Sequence, residues 1–498
     1  MAGPRPRPGA VELIATVLDD GSFRRWDTPP DRAGAEDGYA RQLADAAARA
    51  GTDESVITGE GRVRGRRVAV AVCEFRFLGG SIGRASAARL TAAIERATRE
   101  RLPMLAAPAS GGTRMQEGTA AFVRMVTVCG AVIRHKAAGL PYLVYLRHPT
   151  TGGVLASWGS LGHLTIAEPG ALLGFLGPRV YEALGGELFP EGVQTAENLY
   201  AHGLIDGVVA PRRLPEVVDR ALTILTAGPP APSPEPVFEV PAPVDAWESV
   251  LRTRSAGRPG VQAFLEYAAT DVMPLNGTGE GESDPGVTLA LARFEDASCI
   301  VLGQDRRGRG ERHPLGPGSL RVARRGMQLA GQLQMPLVNV IDTPGGELSV
   351  AAEEGGLAAE IARCLADLMA LDAPSVSILL GQGSGGAALS LLPANRVIAA
   401  QHAWLSPLPP EGASAIVYRT TARADEMARR QGVRASDLLA AGIVDRIVPE
   451  RPDAAEEPEE FCRRLGLVLR HELGRLAAHP GSYRSQRLGR YDLLTAGM

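Results

Sequence analysis

An excess of charge of one sign is missing from this chain of 498 residues, whose formal net charge is only −3. Aromatic residues are also few, at 5%. Together these exclude the basic footprint and the base-stacking platforms of a nucleic-acid binder. Cysteine is scarce: Cys73, Cys129, Cys299, Cys364 and Cys462 lie far apart, with no Cys-x-x-Cys pair. That excludes a sequence-local zinc ribbon and fits reduced thiols in a cytoplasm. No stretch reaches the roughly 20 apolar residues that a membrane span requires. Residues 1–10 are rich in proline and arginine and lack the apolar core of a signal peptide. The eight histidines form no His-x-x-x-His metal pair. A soluble, cytoplasmic protein without a metal, touching neither membrane nor nucleic acid, is the expectation.

What is present is ordinary in bulk and unusual in pattern. Hydrophobic residues make up 45% and charged ones 22%, in a length sufficient for two or three domains with their own cores. After helical patterns at residues 11–18 and 36–50, strands and helices alternate: strand 68–73, helix 85–101, strand 104–107, helix 120–136, strand 142–146, helix 214–226. That rhythm predicts an α/β fold with helices packed on parallel sheet. Residues 229–243 then hold seven prolines and read as an extended, semi-rigid linker. Beyond a helix at 261–270, the second copy begins near 287–294 and runs through helix 321–332, strand 337–341, helix 351–371 and strand 376–380. A surface helix follows at 459–476.

The chain is organised around Gly381-Gln382-Gly383-Ser384-Gly385-Gly386, read as a strand, a glycine turn and a helix running towards Pro393. Glycine lets backbone approach a ligand closely, and the first N–H groups of a helix have no partner inside it. Such a junction can aim free donors at an oxyanion. It occurs twice. Gly386 has its counterpart 233 positions earlier in Gly153, within Pro149-Thr150-Thr151-Gly152-Gly153-Val154. The same offset relates Gly345 to Gly112 and residues 398–403 to 165–170, while 442–448 echo 203–209 at an offset of 239. Four echoes in one order indicate a duplicated domain.

Other catalytic signatures are sparse. Gly79-Gly80-Ser81-Ile82-Gly83 spells Gly-x-Ser-x-Gly, which is compatible with a nucleophile elbow or with a plain glycine turn. No glycine run ends in Lys-Ser or Lys-Thr, as a P-loop would. Glu353-Glu354 are compatible with general bases, although acidic residues also favour a helix start through the dipole. The basic run Arg306-Arg307-Gly308-Arg309-Gly310-Glu311-Arg312 suits either a phosphate-rich ligand or a solvated loop. Backbone donors without a conspicuous side-chain acid or base point to thioester enolate chemistry, with the base supplied by the substrate or cofactor.

At these residues the sequence resembles the carboxyltransferase component of biotin-dependent acyl-CoA carboxylases. Gly79 to Gly83, Ser110-Gly111-Gly112-Thr113-Arg114-Met115-Gln116-Glu117-Gly118, Pro149 to Val154 and residues 167–175 look like the β-subunit of the bacterial acetyl-CoA enzyme. Ile341-Asp342-Thr343-Pro344-Gly345, residues 383–388 and Ser406 through Pro410-Glu411-Gly412-Ala413 look like its α-subunit. The order is that of a fused β/α protein. The resemblance implies two tandem crotonase-like (ClpP/crotonase) domains: 1–228 on the acyl-CoA side, 229–284 as linker and connecting helix, and 285–498 on the biotin side. It implies that Gly152 and Gly153 hold the thioester oxygen and that Gly385 and Gly386 hold the ureido oxygen of biotin. Gly111, Gly112, Arg114, Gly345 and Ala387 join them as substrate-binding positions.

The implied reaction is transfer of CO2 from carboxybiotin to the α-carbon of a short acyl-CoA, with acetyl-CoA to malonyl-CoA in fatty-acid biosynthesis foremost. No Met-Lys-Met biotinyl-lysine signature is present, so biotin is expected on a carrier protein served by biotin carboxylase. A homodimer or a trimer of dimers is the implied assembly. Three departures stand beside the resemblance. The zinc ribbon that opens many separate β-subunits is missing, residues 347–352 replace a glycine-rich stretch, and Leu408-Pro409 enlarges the segment before Pro410. Alternatives are a propionyl- or longer acyl-CoA acceptor, an acyl-CoA decarboxylase subunit running the transfer backwards, and a non-catalytic scaffold of a carboxylase complex.

Overall fold

The computed structural model describes residues 7–32, 36–304 and 315–496, and the basic run at 306–312 lies outside them. The chain forms two compact units. The first is Met1–Thr226 with Gly279–Gly281, and the second is Ala227–Thr278 with Glu282–Met498.

Among the described residues of the first unit, seven strands form one sheet in the order Arg24–Arg25, Val56–Val63, Arg66–Cys73, Met104–Ala107, Tyr142–Leu146, Leu164–Ala167, Gly207–Val208. The first three are antiparallel and the rest parallel. The hairpin closes through Arg64 (φ 47°) and Gly65 (φ 84°), the paired positive angles that match strand twist in a two-residue turn. Parallel strands covered on both faces read as continuous apolar runs, and residues 68–73 are all buried. Helices Arg84–Arg99 and Gly118–Ala137 pack together, contributing Leu90, Ile94, Val128 and Val132 to a core shared with Tyr142 and Trp158.

The second unit repeats the plan: Asp271–Leu275, Val287–Phe294, Ala297–Gln304, Leu337–Thr343, Ser375–Ser384, Arg396–Ala400 and Arg446–Val448 in one sheet, with Trp404–Ser406 paired to the upper half of Ser375–Ser384. The duplication extends to single hydrogen bonds. Isolated parallel bridges Ile82↔Thr113 and Ser110↔Thr150 recur 233 positions on as Leu315↔Gly346 and Thr343↔Gly383.

Three local expectations are corrected. Residues 381–384 are strand rather than turn, because Gln382, Gly383 and Ser384 pair with Trp404–Ser406. Their glycines serve close approach: a β-carbon at Gly383 would lie 2.6 Å from the Trp404 carbonyl oxygen, and one at Gly381 only 2.4 Å from Asp342 Oδ1. The helix that follows is short, Gly385–Leu389, and stops well before Pro393. The helix expected over 351–371 breaks into Val350–Glu354 and Leu357–Ala370 at Gly356, whose φ of 81° no right-handed helix contains.

The proline-rich residues 229–243 carry no helix or strand. Helices Ala246–Thr253 and Val261–Ala268 beyond them belong to the second unit, where the latter packs on Pro458–Ala478. No helix among the described residues is long and apolar enough to cross a membrane.

Candidate active site

In the first unit two loops meet at the ends of neighbouring parallel strands. One follows Met104–Ala107 and carries Ser110-Gly111-Gly112-Thr113. The other follows Tyr142–Leu146 and carries Thr150-Thr151-Gly152-Gly153. Backbone bonds tie them: Ser110 N–H donates to Pro149 O at 2.7 Å, and Thr151 N–H to Ser110 O at 2.8 Å. Gly112 (φ 110°) and Gly152 (φ 61°) hold angles that side chains resist. They also lie back to back. A β-carbon at Gly112 would sit 3.3 Å from the Gly153 nitrogen, and one at Gly152 would sit 3.2 Å from Gly111 O.

The donors divide into used and available. Gly111 N–H donates to Gly79 O at 2.8 Å and Gly112 N–H to Ser110 Oγ at 3.0 Å. Gly152 N–H donates to Phe175 O at 3.0 Å. Gly153 occupies the first turn of the four-residue helix Gly152–Leu155, where an N–H has no intrahelical acceptor. Among the described residues, neither Gly153 N–H nor Thr113 N–H has an acceptor in the protein. Thr113 Oγ1 lies 3.1 Å from the place a Gly153 β-carbon would take, so its hydroxyl borders the same spot. Sequence reasoning placed both Gly152 and Gly153 as donors and assigned no role to Thr113. The structure leaves Gly153 and Thr113 available, and Thr113 is recognisable only as the residue after the positive-φ glycine.

Arg114 turns away from this surface. Its buried guanidinium donates to Glu54 at 3.0 Å, Ser55 Oγ at 3.1 Å and Ser81 O at 2.7 Å, and lies 5.3 Å from the Phe77 ring centre. Burial opposes its charge, but the hydrogen bonds and charge of Glu54 more than offset that and raise its pKa. Arg114 therefore braces the loop from inside. Ser81 has ordinary extended angles (φ −67°, ψ 142°) and its hydroxyl meets the Arg114 guanidinium at 3.3 Å. A nucleophile elbow would need a strained serine beside a histidine, and neither is found here.

The second unit reproduces the geometry. Gly345 (φ 138°) donates to Thr343 Oγ1 at 3.2 Å, Gly385 has φ 65°, and Glu347 N–H bonds Leu315 O at 3.0 Å as Arg114 N–H bonds Ile82 O at 2.9 Å. Among the described residues, Gly386 N–H and Gly346 N–H have no acceptor, the counterparts of Gly153 and Thr113. The surroundings differ. Gly346 brings no hydroxyl, and Leu357 Cδ2 fills the space 3.0 Å from its would-be β-carbon. Instead Ser384 Oγ, wholly buried and without a hydrogen-bond partner, lies 3.9 Å from the β-carbon position of Gly345. Ala387 is buried. Its carbonyl accepts from Gln304 Nε2 at 2.8 Å and Ser390 Oγ at 2.7 Å, which steadies the short helix.

Below the junction, Arg258 donates to Leu380 O at 2.9 Å and to Glu450 at 2.6 and 2.7 Å. Asp342 Oδ1 accepts from Gln382 N–H at 2.9 Å. Arg254 joins Gln382 (3.3 Å) to Glu411 (2.6 Å). Glu353 and Glu354 are exposed on their short helix. Each junction thus offers neutral backbone donors in a tight glycine frame, suited to an oxygen that gains negative charge.

A family model for the carboxyl transferase domain matches residues 4–482. The probable biotin-dependent acyl-coenzyme A carboxylase beta3 subunit of Mycobacterium tuberculosis is 60% identical over 484 residues, 96% of this chain and 97% of that protein. The acetyl-coenzyme A carboxylase carboxyl transferase subunits beta/alpha of Saccharopolyspora erythraea are 34% identical over 506 residues, 98% of this chain and 89% of that protein. Among solved structures, transcarboxylase 12S aligns with a TM-score of 0.75 at 20% identity, covering 95% of this chain and 90% of that one. That likeness is one of fold, and it bears out the expected α/β pair of crotonase-like domains. The chain belongs to the carboxyl transferase domain family and is a carboxyltransferase of the biotin-dependent acyl-CoA carboxylase class.

Proposed function

We propose that the first unit binds an acyl-CoA and the second receives carboxybiotin on a carrier protein, with the carboxyl group passing to the acyl α-carbon. The observation that carries this is the paired junction: Gly153 and Thr113 N–H in one unit, Gly386 and Gly346 N–H in the other, at positions 233 apart. Two oxygens then gain charge in one reaction, and each meets neutral donors fixed before it arrives. Fixed donors need no reorganisation as charge develops, which is where such sites derive their effect.

Gly153 and Thr113 N–H hold the thioester oxygen, so the enolate formed by loss of the α-proton is stabilised where its charge collects. Gly386 and Gly346 N–H hold the ureido oxygen. When bound, carboxybiotin supplies the carboxyl group and, once it has departed, the base for the α-proton. Among the described residues, Ser384 Oγ is a buried hydroxyl beside the second junction without a hydrogen-bond partner. The chain's part is to bind, orient and stabilise, with no side-chain base among the described residues of either junction.

Acetyl-CoA, giving malonyl-CoA for fatty-acid synthesis, is the minimal acceptor in this scheme. The assembly we propose is a homodimer, or a trimer of such dimers, in which the first unit of one chain works with the second unit of another. The test is acyl-CoA-dependent carboxylation with biotin carboxylase, a biotinylated carrier, ATP and bicarbonate. Product is expected only when carrier and carboxylase are both present. Turnover by the purified chain with ATP, bicarbonate and acyl-CoA alone overturns the proposal.

A further inference from the structure

The first unit contains a cavity of about 450 Å³ that the reaction as described does not use. Its walls include Leu155, Leu173, Phe175, Val193, Leu199 and Leu204. The polar members, Ser160, Thr165, Tyr181 and Gln194, are neutral, and among the described residues no charged side chain lines it. It is continuous with the junction. Leu155 ends the four-residue helix that Gly152 and Gly153 open, Thr151 is in register with Gly174, and the Phe175 carbonyl accepts the Gly152 N–H. Phe175 itself is 68% exposed at the rim, although aromatic side chains of this size are ordinarily buried.

We propose that this cavity holds the hydrocarbon tail of the acyl group, and that acyl-CoAs of medium chain length are the preferred acceptors. The assignment rests on the reading that Gly153 holds the thioester oxygen. The lining chooses among the parts of the ligand. The phosphates of coenzyme A would meet no cation among the described residues of the wall, and the pantetheine amides would find few partners to replace water. An alkyl chain loses nothing by leaving water there and gains with each methylene buried. A volume of this size falls in the range that holds a small organic ligand, well beyond what an acetyl or propionyl group fills.

The experiment is calorimetric binding of saturated acyl-CoAs from propionyl to decanoyl, to the full chain and to Val193→Trp, which puts an indole into the cavity. Affinity is expected to rise about fourfold per added methylene until the cavity is filled. In Val193→Trp the ratio of octanoyl to propionyl affinity should collapse towards one. Leu204→Trp, on another part of the wall, decides the matter if Val193→Trp does not fold by circular dichroism. A flat series in the unmodified chain, or an unchanged slope in a folded variant, overturns the assignment. An intact slope without carboxyl transfer to any of these thioesters would overturn the proposed reaction and leave the cavity assignment standing.

Discussion

A glycine at Gly153 or Gly386 differs from one at Gly152 or Gly385 in what a side chain would meet. Gly152 and Gly385 sit at φ 61° and 65°, where any β-carbon strains the backbone by about 1–2 kcal/mol. Gly153 and Gly386 lie outside that region. Their would-be β-carbons meet Thr113 Oγ1 and Ile361 Cδ1, both at 3.1 Å. Gly153→Val and Gly386→Val should therefore fold and lose transfer, since a branched side chain then stands beside the donor. Losing one such donor costs about 2.7–4 kcal/mol, a hundred- to a thousandfold in rate. The two should divide the reaction. Gly153→Val weakens acyl-CoA binding in calorimetry and spares slow breakdown of carboxybiotin, and Gly386→Val does the reverse. Normal behaviour of both variants in both assays would reduce the junctions to turns.

His135 offers a second test at the same scale. Its ring is buried between Thr98 Oγ1, 2.9 Å from Nδ1, and the Pro141 carbonyl, 3.3 Å from Nε2. Burial pushes its pKa down from 6.5 to about 4. Below pH 6.5 the unfolded chain takes a proton that the folded chain refuses until about pH 4. The stabilisation is present above the unfolded value and is lost as pH falls between the two, by up to about 3 kcal/mol. Denaturant melts of the chain at pH 7, 6 and 5 should show the decline, and His135→Gln should flatten it. An equal slope in the variant assigns the acid sensitivity to other groups.

At the scale of elements, the segment from Ala246 to Ala268 matters more than its position between the repeats suggests. Helix Ala246–Thr253 brings Thr253 to Trp404 Nε1 at 2.9 Å, and its end places Arg254 on Gln382 and Glu411. Arg258 and Glu450 are a fully buried ion pair under the strand that leads to Gly385. Burial pushes the Glu450 carboxyl up, but the charge and hydrogen bonds of Arg258 outweigh it and hold its pKa low. Removing one partner of such a pair typically costs about 3–5 kcal/mol, because the other charge is stranded. Arg258→Met should thus destabilise the second unit and raise hydrogen exchange along Ser375–Ser384. Arg258→Met with Glu450→Leu should recover most of the loss. Unchanged exchange in the single variant would show that the pair does not hold the strand.

At the scale of the whole molecule, the proposed pairing of units between chains makes a prediction that neither unit makes alone. Gly153→Val disables only the first unit's junction and Gly386→Val only the second's. If each site draws on two chains, mixed dimers of the two variants contain one site with both junctions intact. Unfolding and refolding the two inactive variants together should then restore part of the carboxylation that neither shows separately. If each site lies within one chain, the mixture stays inactive, which would remove the shared-site assembly.

Some of this was readable along the chain because local chemistry demands particular residues. Positive φ at Gly112, Gly152, Gly345 and Gly385 requires glycine, so the duplicated junction left a mark at a constant offset. Apolar periodicity likewise located strands Met104–Ala107 and Tyr142–Leu146 at their true ends. What stayed hidden depended on partners distant in sequence. Only the folded loops show that the Gly152 N–H goes to Phe175 while those of Gly153 and Thr113 stay available. Only the fold shows that Glu54, sixty positions away, takes the Arg114 charge inward. Residues 381–384 spell a turn, yet pairing with Trp404–Ser406 draws them out as strand. The cavity behind Gly174 gathers side chains from Leu146 to Ile205. A sequence records which conformations each residue permits, whereas the acceptor for a donor and the emptiness of a space arise only when separate segments close on one another.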